Sequence, residues 1–320
     1  MARRAIFGTI DPVRLDRLSS WPRAGFLSAF LSLGAIAACS GGRGAGDQPR
    51  GPDPVVATGP TVAASSTATM VEPPAPVVEV APVETEPAGP VEPAGAELRR
   101  RYQVTTARQT LTDDRGDGRA DLYGTRNVRA VLNGVFFRGG ANNAFHRDGK
   151  RANKNPLPSD GLTNLCQQGF TTAVYLYPTN FETAPKELTC QTVDGDDGTI
   201  DYAQITSQHY KKADLRFLFG LILDAVHDPA EHGAVYAHCW NGWHASGYVA
   251  AITLRQFCGF TGPQALRYWS STAKGASNTD HDDTKDRINK FKPFPELSIS
   301  AEDKARLCPD PKTFKFRPEP

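Results

Sequence analysis

The residues best suited to chemistry stand together in one run, Ala237-His238-Cys239-Trp240-Asn241-Gly242-Trp243-His244-Ala245-Ser246-Gly247. The apolar stretch before it, residues 234–238 (AVYAH), reads as a short buried strand, and residues 246–257 after it read as a helix that is apolar on most faces. A turn between such elements aims backbone N–H groups and a helix N-terminus at one point, which favours an anion. Gly242 permits the left-handed backbone that such a cradle needs. A cysteine at its base would have its thiolate stabilised by the same dipoles and become a nucleophile. Trp240 and Trp243 place two large rings on this short loop. They either form a stacking rim for an apolar or sugar ligand, or pack against the domain and close the pocket.

The positioning elements can be sketched from periodicity. Residues 134–138 (GVFFR) read as a strand. Ser159-Asp160 caps a helix through Leu162, Leu165 and Cys166 that stops at Gly169. Residues 171–177 form a buried-type strand closed by Pro178, and 200–205 a weaker one. Leu215, Leu218, Phe219, Ile222 and Val226 have helix spacing over 213–226, and Pro263 sits in the first turn of a helix over 263–269. Strands alternating with helices predict an α/β fold with a central sheet of about four or five strands, largely parallel, flanked by helices.

The loop resembles that of the protein tyrosine and dual-specificity phosphatase superfamily, which reads His-Cys-x-x-Gly-x-x-Arg-Ser/Thr-Gly. His238, Cys239, Gly242, Ser246 and Gly247 stand in register with it. Residues 135–142 resemble the family strand that commonly carries Arg-Ser-Gly, and 169–174 the helix-to-strand step that follows; the resemblance spans roughly 131–269. It implies a phosphatase-like sheet in which Cys239 attacks phosphorus, His238 tunes the cysteine and Ser246 helps the thiolate leave. The backbone amides of Trp240, Asn241, Gly242, Trp243, His244 and Ala245 would hold the phosphoryl oxygens. Two departures weaken catalysis. The family arginine, a bidentate clamp on the transition state, falls at Ala245. His244 is a partial substitute, cationic only at lower pH. The family's aspartic general acid also lacks a counterpart in register, leaving Asp201, Asp214 and His209 as candidates.

Three functional classes therefore compete: a cysteine phosphatase with weak or altered activity, a pseudophosphatase that binds an anionic ligand, glycan or protein, and a metal site from His238, Cys239 and His244. The last matches no structural zinc spacing. Asp113, Asp117 and Asp121 fall at positions one, five and nine of a calcium-loop pattern with Gly118 at six, but Arg115 occupies position three and Gly124 position twelve. A polar turn is the simpler reading, as is a helix start or solvated face for Asp280-His281-Asp282-Asp283. Neither a metal nor another cofactor is expected.

Outside this region the chain of 320 residues changes character. Basic residues Arg3, Arg4, Arg14, Arg17 and Arg23 precede a short apolar run ending Ile36-Ala37-Ala38-Cys39, an export signal over 1–38. Its end resembles the bacterial lipoprotein box, implying lipidation of Cys39, and Ser40 leans toward the outer membrane. Residues 39–97, rich in Pro, Gly, Ala, Val and Glu, read as an unfolded tether. Residues 98–320 hold one domain, with a core at 131–270 and a helical extension at 271–320. A net charge of +1 argues against nucleic acid. The expected partners are a phosphorylated or other anionic ligand and, through the lipid, the cell-envelope membrane; no protein partner can be named. Export favours disulfides. Setting aside Cys39 and Cys239 leaves Cys166, Cys190, Cys258 and Cys308. Of three possible pairings, Cys166–Cys190 and Cys258–Cys308 close the short loops.

Overall fold

The computed structural model describes residues 92–116, 118–141, 157, 159–205, 211–275 and 279–318. The expected export signal, Cys39, the expected tether up to residue 91, Asp117, Asn142 and His209 lie outside the described residues. Six strands form one sheet: β1 (Thr125–Leu132), β2 (Phe136–Ala141), β3 (Phe170–Tyr175), β4 (Glu187–Gln191), β5 (Asp197–Gln204) and β6 (Ala234–Cys239). Their order is β1-β2-β6-β3-β5-β4. The inner four, β2, β6, β3 and β5, run parallel, and β1 and β4 close the two edges antiparallel. The expected count of four or five misses these edges for a physical reason. Arg126, Asn127 and Arg129 break the apolar pattern of β1, and β4 (ELTCQ) alternates polar residues on a half-exposed edge.

Seven α-helices are described: α1 (Ala96–Tyr102), α2 (Ser159–Gln167), α3 (Lys212–His227), α4 (Ala245–Cys258), α5 (Gly262–Thr272), α6 (Asp282–Lys290) and α7 (Ala301–Leu307). Helix α1 begins inside the last residues assigned to the tether, with Ala94 already buried, so ordered structure starts before residue 98. The apolar stripe of α3 is buried as its spacing predicts, at Leu215, Leu218, Phe219, Ile222 and Val226. Helix α5 starts in a capping box between Thr261 and Gln264 with Pro263 in its first turn. None of the described helices is long and apolar enough to cross a membrane.

Two elements matter most for the loop. Strand β6 lies mid-sheet with all six residues buried. Helix α4 packs on β1, β2 and β6, and is covered by α5 and α6. Val249, Ile252, Leu254 and Phe257 on α4 are buried, each contributing about 2 kcal/mol of apolar transfer. Both expected disulfides are closed, Cys166–Cys190 tying α2 to edge strand β4 and Cys258–Cys308 tying the end of α4 to the residue after α7. They span 24 and 50 residues. By loop-closure entropy each would stabilise the fold by roughly 3–4 kcal/mol.

Candidate active site

Strand β6 delivers His238 and Cys239 to its carboxyl end, flanked by β2 and β3. Neighbouring strand residues face opposite ways. Cys239 is buried and its Sγ lies 3.5 Å from the Ser246 Oγ in the first turn of α4. His238 is fully buried among tyrosine rings, with Tyr175, Tyr202 and Tyr236 at 5.2, 5.7 and 5.8 Å between centroids. The Tyr202 hydroxyl accepts from the Leu157 N–H at 3.0 Å and lies 2.7 Å from His238 Nε2. The Cys239 carbonyl, 3.2 Å from Nδ1, can only accept, so Nδ1 carries the proton and the neutral ring's Nε2 accepts from the Tyr202 hydroxyl. Burial pushes the His238 pKa down to about 3, so the ring is neutral at ordinary pH. The expected tuning of the cysteine by His238 thus reduces to a hydrogen bond on its main chain; no imidazolium charge stands beside the thiol.

This burial has a measurable consequence. The imidazole titrates near 6.5 when unfolded and near 3 when folded, so the unfolded chain holds more protons between those values. Its contribution to stability is fully present above pH 6.5 and is lost as pH falls toward 3. At pH 5 the loss should be about 2 kcal/mol, since one pH unit is worth about 1.4 kcal/mol. Urea midpoints at pH 7.5 and 5.0 for wild type and His238→Gln check this. The variant should lose less on acidification, and an identical pH dependence in both proteins would refute the assignment.

The loop after Cys239 is fastened from outside. The Trp240 carbonyl accepts from Arg126 Nε at 3.2 Å and from the Ala141 N–H at 3.1 Å. The Gly242 carbonyl accepts from Arg138 Nη1. The His244 carbonyl accepts from Trp269 Nε1 at 3.3 Å and from the Tyr248 N–H at 2.8 Å. A trans peptide points its N–H opposite to its carbonyl. The three ties therefore turn the N–H groups of Asn241, Trp243 and Ala245 away from the fastening side chains. Among the six amides expected to line the cradle, these three are oriented by identifiable partners. Gly242 adopts φ +72°, and a Cβ on Gly140 would lie 2.6 Å from Gly242 N and Trp240 O. The loop thus lies directly on the glycines of β2.

Arg138 is fully buried, and its Nη2 also reaches the Thr272 carbonyl at 3.4 Å. Arg126 donates through Nη2 to the Asn241 side-chain oxygen, and Asn127 Nδ2 donates to the Asn241 carbonyl at 2.8 Å. Burial lowers the Arg126 pKa, while Asp114 and Cys239 favour its charged form. Asp114 accepts from Asn127 Nδ2 at 2.7 Å and lies 3.9 Å from the Lys274 ammonium. The sequence reading passed over Arg126, Asn127, Asp114 and Lys274. Only the register of β1 against β2, which pairs Arg126 with Gly140, points the first two at the loop.

Ala245 opens α4, and its methyl makes none of the ties described. His244 does not replace the missing arginine. Its Nε2 lies 2.8 Å from the Lys274 carbonyl and its ring 4.0 Å from that of His281. Trp243 packs against the core, with the Lys274 ammonium 5.0 Å from its ring centre, while Trp240 is half-buried. Asp201 is not brought to the loop. It pairs with Thr172, which pairs with Val235, so its row is four residues back along β6 from Cys239 (239 − 235) and two strands away. At ~3.3 Å per residue that is about 13 Å along the strand. Asp214 lies in the first turn of α3. The zinc reading fails on geometry, because both His238 ring nitrogens already face Tyr202 and Cys239. Asp113 caps a turn by accepting from the Arg115 N–H at 2.7 Å, and Asp121 sits in the 3-10 turn Ala120–Leu122. Among the described residues no three His, Cys, Asp or Glu side chains converge as metal ligands.

No protein-family model and no curated protein matches the chain. Solved structures do. The core catalytic domain of the PP-IP phosphatase Siw14 from S. cerevisiae is 12% identical, with a TM-score of 0.36, over 53% of this chain and 88% of that one. TpbA from P. aeruginosa is 14% identical, with a TM-score of 0.33, over 52% and 85%. Tk-PTP in its active form is 15% identical, with a TM-score of 0.33, over 52% and 98%.

Proposed function

We propose that the Cys239 loop binds a phosphoryl group and that the chain is a weakly active cysteine-dependent phosphomonoesterase. The observation that carries this reading is the Cys239–Ser246 contact of 3.5 Å inside a loop whose carbonyls are tied outward. The amides of Asn241, Trp243 and Ala245 would accept the phosphoryl oxygens. The Cys239 thiolate attacks phosphorus, forming the S–P bond as the ester P–O bond breaks, and the departing oxygen takes a proton from solvent. Water then attacks phosphorus, and the Ser246 hydroxyl hydrogen-bonds the sulfur as it leaves as thiolate. Turnover is weak because Ala245 supplies no cation to the equatorial oxygens and Asp201 is out of reach of the leaving group. A binding-only pseudophosphatase differs by one step. Acid-quenching the protein with an aryl phosphate should trap a phosphoryl adduct that maps to Cys239. Bound ligand without adduct or turnover would establish the binding-only alternative.

We further propose that the chain is an envelope lipoprotein anchored through Cys39. Support comes from Ile36-Ala37-Ala38-Cys39 after a basic, apolar leader, and the two disulfides suit an oxidising compartment. Intact mass of the mature protein should show an acylated cysteine at its N-terminus. An unmodified protein starting elsewhere would sink the idea.

A further inference from the structure

We propose that Arg126, on the edge strand β1, supplies the positive charge that the loop lacks at Ala245 and positions the cradle's Asn241 amide. The inference rests on the reading of the loop as a phosphoryl site. Arg126 pairs across the sheet with Gly140, which has no side chain to block its path over β2. Its guanidinium is spread over one neighbourhood: Nε to the Trp240 carbonyl at 3.2 Å, Nη2 to the Asn241 side chain, and Nη1 to the Asp114 carbonyl at 3.4 Å. The residue is only 7% exposed. A cation so placed is screened little by solvent. Cys239 is one of the groups that favour its charged form. Arg138, the other buried arginine of the loop, grips Gly242 and Thr272 further along.

An arginine at position 245 would act as a planar fork on the phosphoryl oxygens. Arg126 cannot, because its nitrogens are already engaged with the loop and with Asp114. It acts instead through charge and by holding the Trp240 carbonyl, which turns the Asn241 N–H the opposite way. Arg126 is thus a positioning residue, and its charge lowers the cost of bringing a dianion to a buried thiolate.

Tungstate, a tetrahedral oxyanion, is the probe, titrated by tryptophan fluorescence into the full mature protein with melting temperature measured in parallel. Arg126→Met should weaken tungstate binding by about tenfold or more, as expected for loss of a buried charge-assisted contact. Arg126→Lys keeps the charge and should stay within about threefold of wild type. In an Ala245→Arg background the Arg126→Met penalty should shrink to less than about threefold, because the new guanidinium supplies the same charge. Wild-type affinity in Arg126→Met, or an equal penalty in both backgrounds, would overturn the charge role and leave the phosphoryl site standing. If Arg126→Met does not fold, Arg126→Lys decides, and a loss above tenfold at unchanged melting temperature counts against the proposal. Absence of tungstate binding in both wild type and Ala245→Arg overturns the phosphoryl reading itself, and this inference with it.

Discussion

Replacing Ala245 by arginine is expected to raise turnover of an aryl phosphate by about a hundredfold. The loop around position 245 is otherwise fastened in place. Trp240, Gly242 and His244 have their carbonyls fastened by Arg126, Arg138 and Trp269, and none of these ties involves the Ala245 side chain. Ala245 is partly exposed at the first residue of α4, so a longer side chain has an open direction to leave by. Its guanidinium would contact two equatorial oxygens, an interaction that strengthens as charge develops. The gain should therefore appear mainly in kcat. An aryl ester is the proper substrate because its leaving group needs little protonation; an alkyl ester should remain slower by a further ~100-fold for want of an aligned acid. No gain, with the fold intact, would mean that Trp240 and Trp243 close the pocket and that the loop serves in binding.

Cys239→Ser should bring the second large change, reducing turnover on the order of a thousandfold or more, down to buffer background. Serine at this position keeps the strand register and the fastened amides, so tungstate affinity should stay within about threefold of wild type. The hydroxyl fails as a nucleophile because nothing nearby removes its proton. His238 is held neutral by burial, but its Nε2 is occupied by Tyr202, and its Nδ1 faces the main chain. Retained turnover in the variant would show that another group performs the chemistry. Loss of both turnover and tungstate binding, with an unchanged melting temperature, would show that the thiolate helps to hold the ligand.

The comparison of sequence with structure divides along a physical line. Strand β6, helix α4 and helix α3 were legible because their apolar residues face a core on a fixed period. The four disulfide cysteines were legible once Cys39 and Cys239 had been set aside; their pairing, one of three possible, rested on preferring the short loops. Edge strand β1 was not, since Arg126, Asn127 and Arg129 interrupt its pattern, and two of these polar residues, Arg126 and Asn127, reach the loop. Cys239, Ser246 and Gly242 were placed together by a contiguous motif. The residues that orient the motif lie far from it in sequence: Arg138 is 104 positions from Gly242, and Arg126 is 114 from Trp240. No local spacing records such distances. Asp201 was misplaced for the complementary reason, because a short distance in sequence from the expected acid loop says nothing about which row of the sheet a residue occupies.

Helix α4 is braced at both ends. At its start Trp269 holds the His244 carbonyl, and at its finish the Cys258–Cys308 bridge and the Gln256 amide at 2.9 Å from the Phe294 carbonyl hold it to the chain beyond α5. A loop anchored to such a helix has few conformations to give up when a ligand arrives. The entropy of ordering it is spent when the chain folds and oxidises, before any anion is met. If the loop holds a phosphoryl group as proposed, each of its hydrogen bonds would therefore appear in affinity with little subtracted for organising the site.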